Sequence, residues 1–260
     1  MPPLNAVALR KALAPPWRYL EVVEETGSTN SDLLARAAAG ENIDGAVLIA
    51  EHQTAGRGRS GRTWQAAAHA QITMSVAVSA EGVPASAWGW LSLAAGVAIV
   101  DTVTPLTAVH VGLKWPNDVL ADDGKLAGIL AEVAPSTSVI VVGIGINVAG
   151  APQGLTGLPA VSLADFGRAA LDRNDLVHRL LAELGHRINS WRRAGGVDHR
   201  LTADYRERSA TIGEHVRAVL PGGREIVGIA RSVDAHGRLI IESDGTTSAV
   251  SAGDVVHLRH

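Results

Sequence analysis

Seven consecutive residues, Gly56-Arg57-Gly58-Arg59-Ser60-Gly61-Arg62, interleave glycine and arginine shortly after the apolar run Ala46 to Ala50. Guanidinium groups are permanently charged, planar forks that fit phosphate or carboxylate oxygens, and glycine lets backbone N–H groups come close to such an anion. Short charge runs are often only solvated turns, but a turn does not require arginines alternating with glycines. The segment predicts an anion-holding loop in which Arg57, Arg59 and Arg62 supply charge and Gly56 and Gly58 supply backbone donors.

Two other places carry chemistry. Of the 23 basic residues only Lys11, Lys114 and Lys125 are lysines, and two of these lie within twelve residues of each other. A compact ammonium is wanted there rather than a fork. Lys114 leads into Trp115-Pro116-Asn117-Asp118, which either forms a plain turn or sets a cation, an amide and a carboxylate at one strand end. The second place is Ser28-Thr29-Asn30, at the start of an expected helix. Capping accounts for at least one of the three, and the unpaired N–H groups of a helix start also suit a polar head group such as a urea or carboxylate.

The same loop matches the dinucleotide pattern Gly-x-Gly-x-x-Gly, with Glu81 near the place of a ribose-binding acid. Its surroundings do not fit. Polar Glu51 to Thr54 separate the apolar run from Gly56, and about ten residues between Gly61 and the next run, Ile72 to Val78, leave no room for a crossover helix.

Near the N-terminus a short amphipathic piece ends at Pro15-Pro16, Trp17 to Val23 reads as a strand, and a helix runs from the Ser-Thr-Asn lead-in to Ala39 with Gly40 closing it. Ala85 to Val103 reads as one long apolar helix, and Val109 to Lys114 as a strand ended by proline. Asp122 to Gly124 is a turn, and Lys125 to Val133 and Val139 to Val148 are strands. The last of these carries Gly143 and Gly145 and ends in polar Asn147; glycines inside a strand fit either close packing of a helix or a flat ligand face such as a purine. Gly150 to Leu158 is loop, and Asn174 to Arg193 is an amphipathic helix. Beyond Tyr205, five short apolar runs separated by turns predict a small antiparallel barrel.

The whole chain, 260 residues with 47% apolar content, suffices for one large domain and one small one, divided at 1–207 and 208–260. A net charge of −3 offers no basic field for nucleic acid. The absence of cysteine, of a signal peptide and of an uninterrupted apolar span points to the cytoplasm rather than a membrane. The ten histidines fall at no metal-ligand spacing.

Taken together, Ser28-Thr29-Asn30, Gln53 with Gly56 to Arg62 and Trp64, Lys114 to Asp118, Lys125-Leu126-Ala127-Gly128-Ile129-Leu130 and Gly143 to Asn147 resemble the biotin protein ligases over nearly the whole chain from Glu21. The resemblance implies an α+β fold, a central mixed β-sheet with flanking helices followed by an SH3-like β-barrel. It implies a two-step reaction: biotin and ATP give biotinyl-5'-AMP and pyrophosphate, and biotin then passes to one lysine of a biotin carboxyl carrier protein. It places Ser28, Thr29, Gln53, Arg57, Gly58 and Arg59 against biotin, Lys125 against the carboxyl or adenylate oxygen, and Trp64, Asn117 and Asn147 near the adenylate. Asn30, Gly56, Lys114, Gly128 and Gly145 complete the expected binding set.

Arg57, Arg59 and Arg62 with Lys125 would offset the charge of a carboxylate meeting an α-phosphate. Asp118 would assist Mg2+ or the incoming amine, with Mg2+ carried mainly by phosphates. About twenty residues precede the first strand, too few for a helix-turn-helix, so operator binding is not expected. A monomer or a ligand-linked homodimer is compatible with the resemblance. A lipoate ligase and a non-enzymatic biotin-responsive regulator are the alternatives.

Overall fold

The computed structural model describes residues 1–260 apart from 66, 123, 136, 153–158, 168–170 and 259–260. Asp123 of the expected turn and residues 153–158 of the expected loop therefore lie outside the described residues. The chain begins with α1 (Ala6–Lys11), capped by the Asn5 side chain, followed by β1 (Tyr19–Thr26), α2 (Thr29–Ala38), β2 (Ala46–Gln53) and β3 (Gln71–Ser79). Next come α3 (Trp90–Val103), β4 (Val111–Lys114), β5 (Asp118–Ala121), β6 (Gly124–Val133), β7 (Val139–Asn147), α4 (Arg173–Arg193) and α5 (His199–Arg208).

These strands form one seven-stranded mixed sheet in the order β1-β2-β3-β7-β6-β5-β4. β1 and β2 pair in parallel, which demands a crossover, and α2 supplies it; the other neighbours are antiparallel. Alternation along the strands sends Leu48, Ala77 and Val141 to one face, where Leu33 and Ala37 of α2 cover them. Val47, Ile49, Val76 and Val142 join the main core with α3 and α4. Because helices cover both faces, the central strands read as continuous apolar runs.

β2 runs on through Glu51 and His52 to Gln53, although these polar residues read as a break in the sequence. Glu51 stays in the strand because it is neutralised: Arg173 at the head of α4 lies 2.6 Å away, with both side chains only 2% exposed. Burial works against the Glu51 carboxylate, yet the Arg173 bond and the Leu4 N–H hold it below its ordinary value.

The apolar stretch expected as one helix is divided. A short turn, Ala85–Ala87, precedes α3, and Gly89 between them lies against the His236 carbonyl. Ala85–Leu106 is long and apolar enough to cross a membrane by composition, with mean hydropathy 1.4, but 67% of its apolar window is buried in this fold, and α3 packs on α4 and α5. β5 and α5 have no counterpart among the sequence expectations. β5 is four residues hidden behind Pro116, and α5 buries only Leu201 and Tyr205, which is too little periodicity to read.

The remainder is a five-stranded antiparallel sheet in the order Thr246–Val250, Leu239–Ser243, Glu225–Val233, His215–Val219, Asp254–His257. Its strands are β8 (His215–Val219), β9 (Glu225–Val233), β10 (Leu239–Ser243), β11 (Thr246–Val250) and β12 (Asp254–His257), five as the sequence predicts. Indole N–H groups from α3 and from the β4–β5 turn tie it to the larger unit. Trp90 Nε1 donates to the Ala235 carbonyl (3.0 Å) and Trp115 Nε1 to the Gly237 carbonyl (3.1 Å), while the Trp115 backbone N–H donates to Thr211 Oγ1 (3.1 Å).

Candidate active site

At one end of the larger sheet lies a cleft of about 1100 Å³, walled by the head of α2, the arginine loop, the ends of β4 to β7 and the β12 strand of the smaller sheet. Every residue expected at the site lines it except Gly56 and Asn147. Gly56 sits outside, where a side chain would strike the Trp64 carbonyl; its own carbonyl accepts the Trp64 N–H at 2.8 Å. Asn147 is 1% exposed and braces the floor, its amide donating to the Val161 (2.9 Å) and Lys125 (3.3 Å) carbonyls.

The arginine loop is a closed hairpin. Gly58 N–H donates to the Arg62 carbonyl at 2.7 Å, Arg57 bridges Thr63, and the tip turns through Ser60 and Gly61, with φ of 54° and 72°. Its like charges have partners: Arg57 lies 2.8 Å from Glu132, Arg62 lies 2.5 Å from Asp254 of β12, and Arg59 Nη2 is 3.5 Å from the Gly253 carbonyl. Burial pushes the Arg59 guanidinium below its ordinary value, with Asp254 opposing the shift.

At the head of α2, Ser28 takes the N-cap position with extended backbone, but its hydroxyl makes no capping bond. Gln53 Oε1 replaces it, accepting from the Thr29 N–H (2.8 Å) and hydroxyl (3.1 Å). The Asn30 amide is committed within the protein. Its nitrogen donates to the Leu130 carbonyl and to Glu132 (2.9 Å), and its oxygen accepts from Ser75 (2.6 Å), whose Oγ also lies 2.6 Å from Thr29 Oγ1.

The strand glycines are covered by the protein's own groups. The Trp64 indole lies over Gly145 and Gly128, where an added Cβ on Gly128 would meet the ring at 2.9 Å, and Asn30 lies over Gly143. The alternative of a flat ligand lying directly on bare Gly145 is thus corrected, since an aromatic plane already lies there. Gln71 fixes that indole by accepting from Trp64 Nε1 (2.8 Å) and is itself held by donating to Asn147 Oδ1 (2.7 Å).

The cations stand opposite. Lys125 Nζ is 2.7 Å from Asp118 Oδ1, not aligned as a hydrogen bond, and 5.6 Å from the centre of the Trp64 ring. Lys114 faces the same carboxylate across the β4–β5 pair. Burial pushes the Lys114 ammonium below its ordinary value; Asp118 offsets part of this and Lys125 adds to it. Asn117 is tied to β6, its amide donating to the Ile129 carbonyl at 2.9 Å.

Sequence reasoning missed Gln71, Ser75, Glu132 and Asp254. Gln71, Thr73 and Ser75 alternate along the largely apolar β3, so a polar face was readable there, whereas Glu132 follows Gly128 and Leu130 on its face of β6 and carries no such signal. For Asp254, only the tertiary fold brings it to the loop.

Among the described residues no group of three or more histidine, aspartate or glutamate side chains stands together as a metal cage. The carboxylates that line the cleft do not cluster: Asp118 has two ammonium groups beside it and Asp254 is paired with Arg62, a donor set that does not fit a protein-held Mg2+.

Residues 22–148 match the model of the biotin/lipoate A/B protein ligase family, and 211–258 match the biotin protein ligase C terminal domain. The chain is 59% identical to the biotin--[acetyl-CoA-carboxylase] ligase of Mycobacterium tuberculosis over 99% of its own length and 97% of the relative's. It is 35% identical to the bifunctional ligase/repressor BirA of Escherichia coli, over 88% of this chain and 70% of that one. Among solved structures, it superposes on a biotin protein ligase from Aquifex aeolicus in complex with biotin and ATP with a TM-score of 0.78 (21% identity, 93% of this chain and 100% of that one). On the biotin protein ligase from Leishmania major in complex with biotinyl-5-AMP the TM-score is 0.64 (28% identity, 92% and 100%).

Proposed function

The chain belongs to the biotin protein ligases of the biotin/lipoate A/B protein ligase family, and from that premise we propose how its own residues perform the family reaction. It is an ATP-dependent ligase that activates biotin as biotinyl-5'-AMP and transfers it to a lysine of a carboxyl carrier protein. In the first step the biotin carboxylate attacks the α-phosphate, forming the acyl–phosphate bond while the α–β bridging bond breaks and pyrophosphate leaves. Both partners are anionic, so the barrier falls only if fixed cations meet the charge as it develops. Lys125, Lys114 and the guanidinium groups of Arg57, Arg59 and Arg62 converge on one cleft, and this convergence is the observation that supports the assignment.

Ser28, whose hydroxyl is not spent on capping, and Gln53 form the wall for the polar head of biotin. Trp64 lines the cleft for the adenylate, together with Asn117. Mg2+ would be carried by the phosphates of ATP, where it would neutralise their charge. In the second step the carrier's neutral amine adds to the acyl carbon, AMP leaves with the bonding pair, and the amine loses its proton. Asp118 is the carboxylate best placed to orient that amine. No covalent nucleophile is needed, because the mixed anhydride is already activated.

We place the boundary between the two units at 207/208, and the enzyme in the cytoplasm with its carrier. Mass analysis of a biotin carboxyl carrier domain incubated with the protein, ATP and biotin tests the reading. One biotinyl increment on one lysine is expected, and none with lipoate; a lipoyl increment instead would assign the chain to the other branch of the family.

A further inference from the structure

Glu132 belongs to none of the motifs that mark the site. It lies on β6 with a side chain 21% exposed, and its two oxygens serve different walls of the cleft. Oε1 is 2.8 Å from Arg57 Nη2 in the arginine loop, and Oε2 accepts from Asn30 Nδ2 at 2.9 Å in α2. From Asn30 the hydrogen bonds continue to Ser75, to Thr29 and to Gln53, so one chain of contacts runs from the loop to the N-terminus of α2.

We propose that Glu132 is a positioning residue for biotin: its carboxylate holds the arginine loop and the head of α2 in one register, so that both walls of the biotin-binding end are set by a single group. The inference rests on the reading of the cleft as a biotin-activating site. Arg57 is 47% exposed, so its ion pair is screened and contributes little to global stability. The contribution is to geometry, because a carboxylate accepting two charge-assisted or amide bonds fixes both donors at once. The cations and amide at the opposite side of the cleft, Lys114, Lys125 and Asn117, take no part in this chain of contacts. Loss of Glu132 should therefore raise KM for biotin and not KM for ATP, with any effect on the chemical step, through Arg57, falling on kcat.

The test is steady-state pyrophosphate release by Glu132→Gln and Glu132→Ala with biotin and ATP varied separately, alongside thermal unfolding and limited trypsin digestion. Glutamine keeps an acceptor for Asn30 and loses the charge facing Arg57; alanine loses both. We expect KM for biotin to rise about threefold in Glu132→Gln and about tenfold in Glu132→Ala, the range of one or two weakened polar contacts, with KM for ATP unchanged. Trypsin should cut after Arg57 several times faster in both variants at an unchanged Tm. An unchanged KM for biotin, or equal rises for biotin and ATP, would overturn the proposal. If Glu132→Ala does not fold, the near-isosteric glutamine variant decides. A wild-type protein without biotin-dependent release would instead refute the functional reading on which the proposal rests.

Discussion

At the scale of single residues the chemistry concentrates on Lys125. Its ammonium stands 2.7 Å from Asp118 and over the Trp64 ring, part-exposed at the cleft wall and outside the core. Lys125→Ala should therefore keep the fold while lowering biotin-dependent pyrophosphate release by about 10²- to 10³-fold, the usual consequence of removing one donor aimed at developing charge. Near-normal release would remove Lys125 from the chemistry. Most of this layer was legible before the fold was known, because arginine, lysine and glycine were placed where no turn or strand requires them. What was not legible were the acids that answer the arginines. Glu132 and Asp254 look like ordinary surface carboxylates in the sequence, and only folding brings them to Arg57 and Arg62. The head of α2 differs in the same way: capping was expected from at least one of Ser28, Thr29 and Asn30, but the Ser28 hydroxyl makes no capping bond, and Gln53, twenty-four residues away from Thr29, does the capping.

At the scale of elements, β6 and β7 present Gly128 and Gly145 side by side in register, making a shallow floor on which the Trp64 indole lies. The glycines marked in the sequence a close approach to these strands, by a packed helix or a flat ligand, but not that the protein's own indole makes it. Gly145→Ala should cost about 1–3 kcal/mol in denaturant unfolding, since the new methyl has to push the ring aside. In a Trp64→Ala background the same substitution should cost almost nothing, because the two sites share one contact. An equal cost in both backgrounds would mean that the indole is not what the glycine accommodates. Long, strongly patterned elements such as α4 and β7 were readable to within a residue or two. β5 and α5 were not, because a four-residue strand and a helix with two buried side chains carry too little pattern, and their partners β4, β6 and α3 define them.

The whole molecule is arranged so that two sheets share one cleft. Trp90 and Trp115 dock the smaller sheet through its β9–β10 turn, and the same docking carries Asp254 and His257 of β12 to the edge of the site. The Trp115 backbone N–H donates to Thr211, so the run that supplies Lys114, Asn117 and Asp118 is anchored directly to the second unit. The five strands of that unit could be read from the sequence, but its part in the site could not, since nothing local marks which edge faces the arginine loop. The central claim is that this shared cleft makes an acyl-adenylate before any acceptor is present. The most direct measurement is pyrophosphate release by the purified protein without carrier protein, with ATP and with biotin or lipoate. Release of about one equivalent per active site with ATP and biotin together, and none with ATP alone or with lipoate, is the predicted result; release that ignores biotin, or that appears only once the acceptor is added, would contradict it.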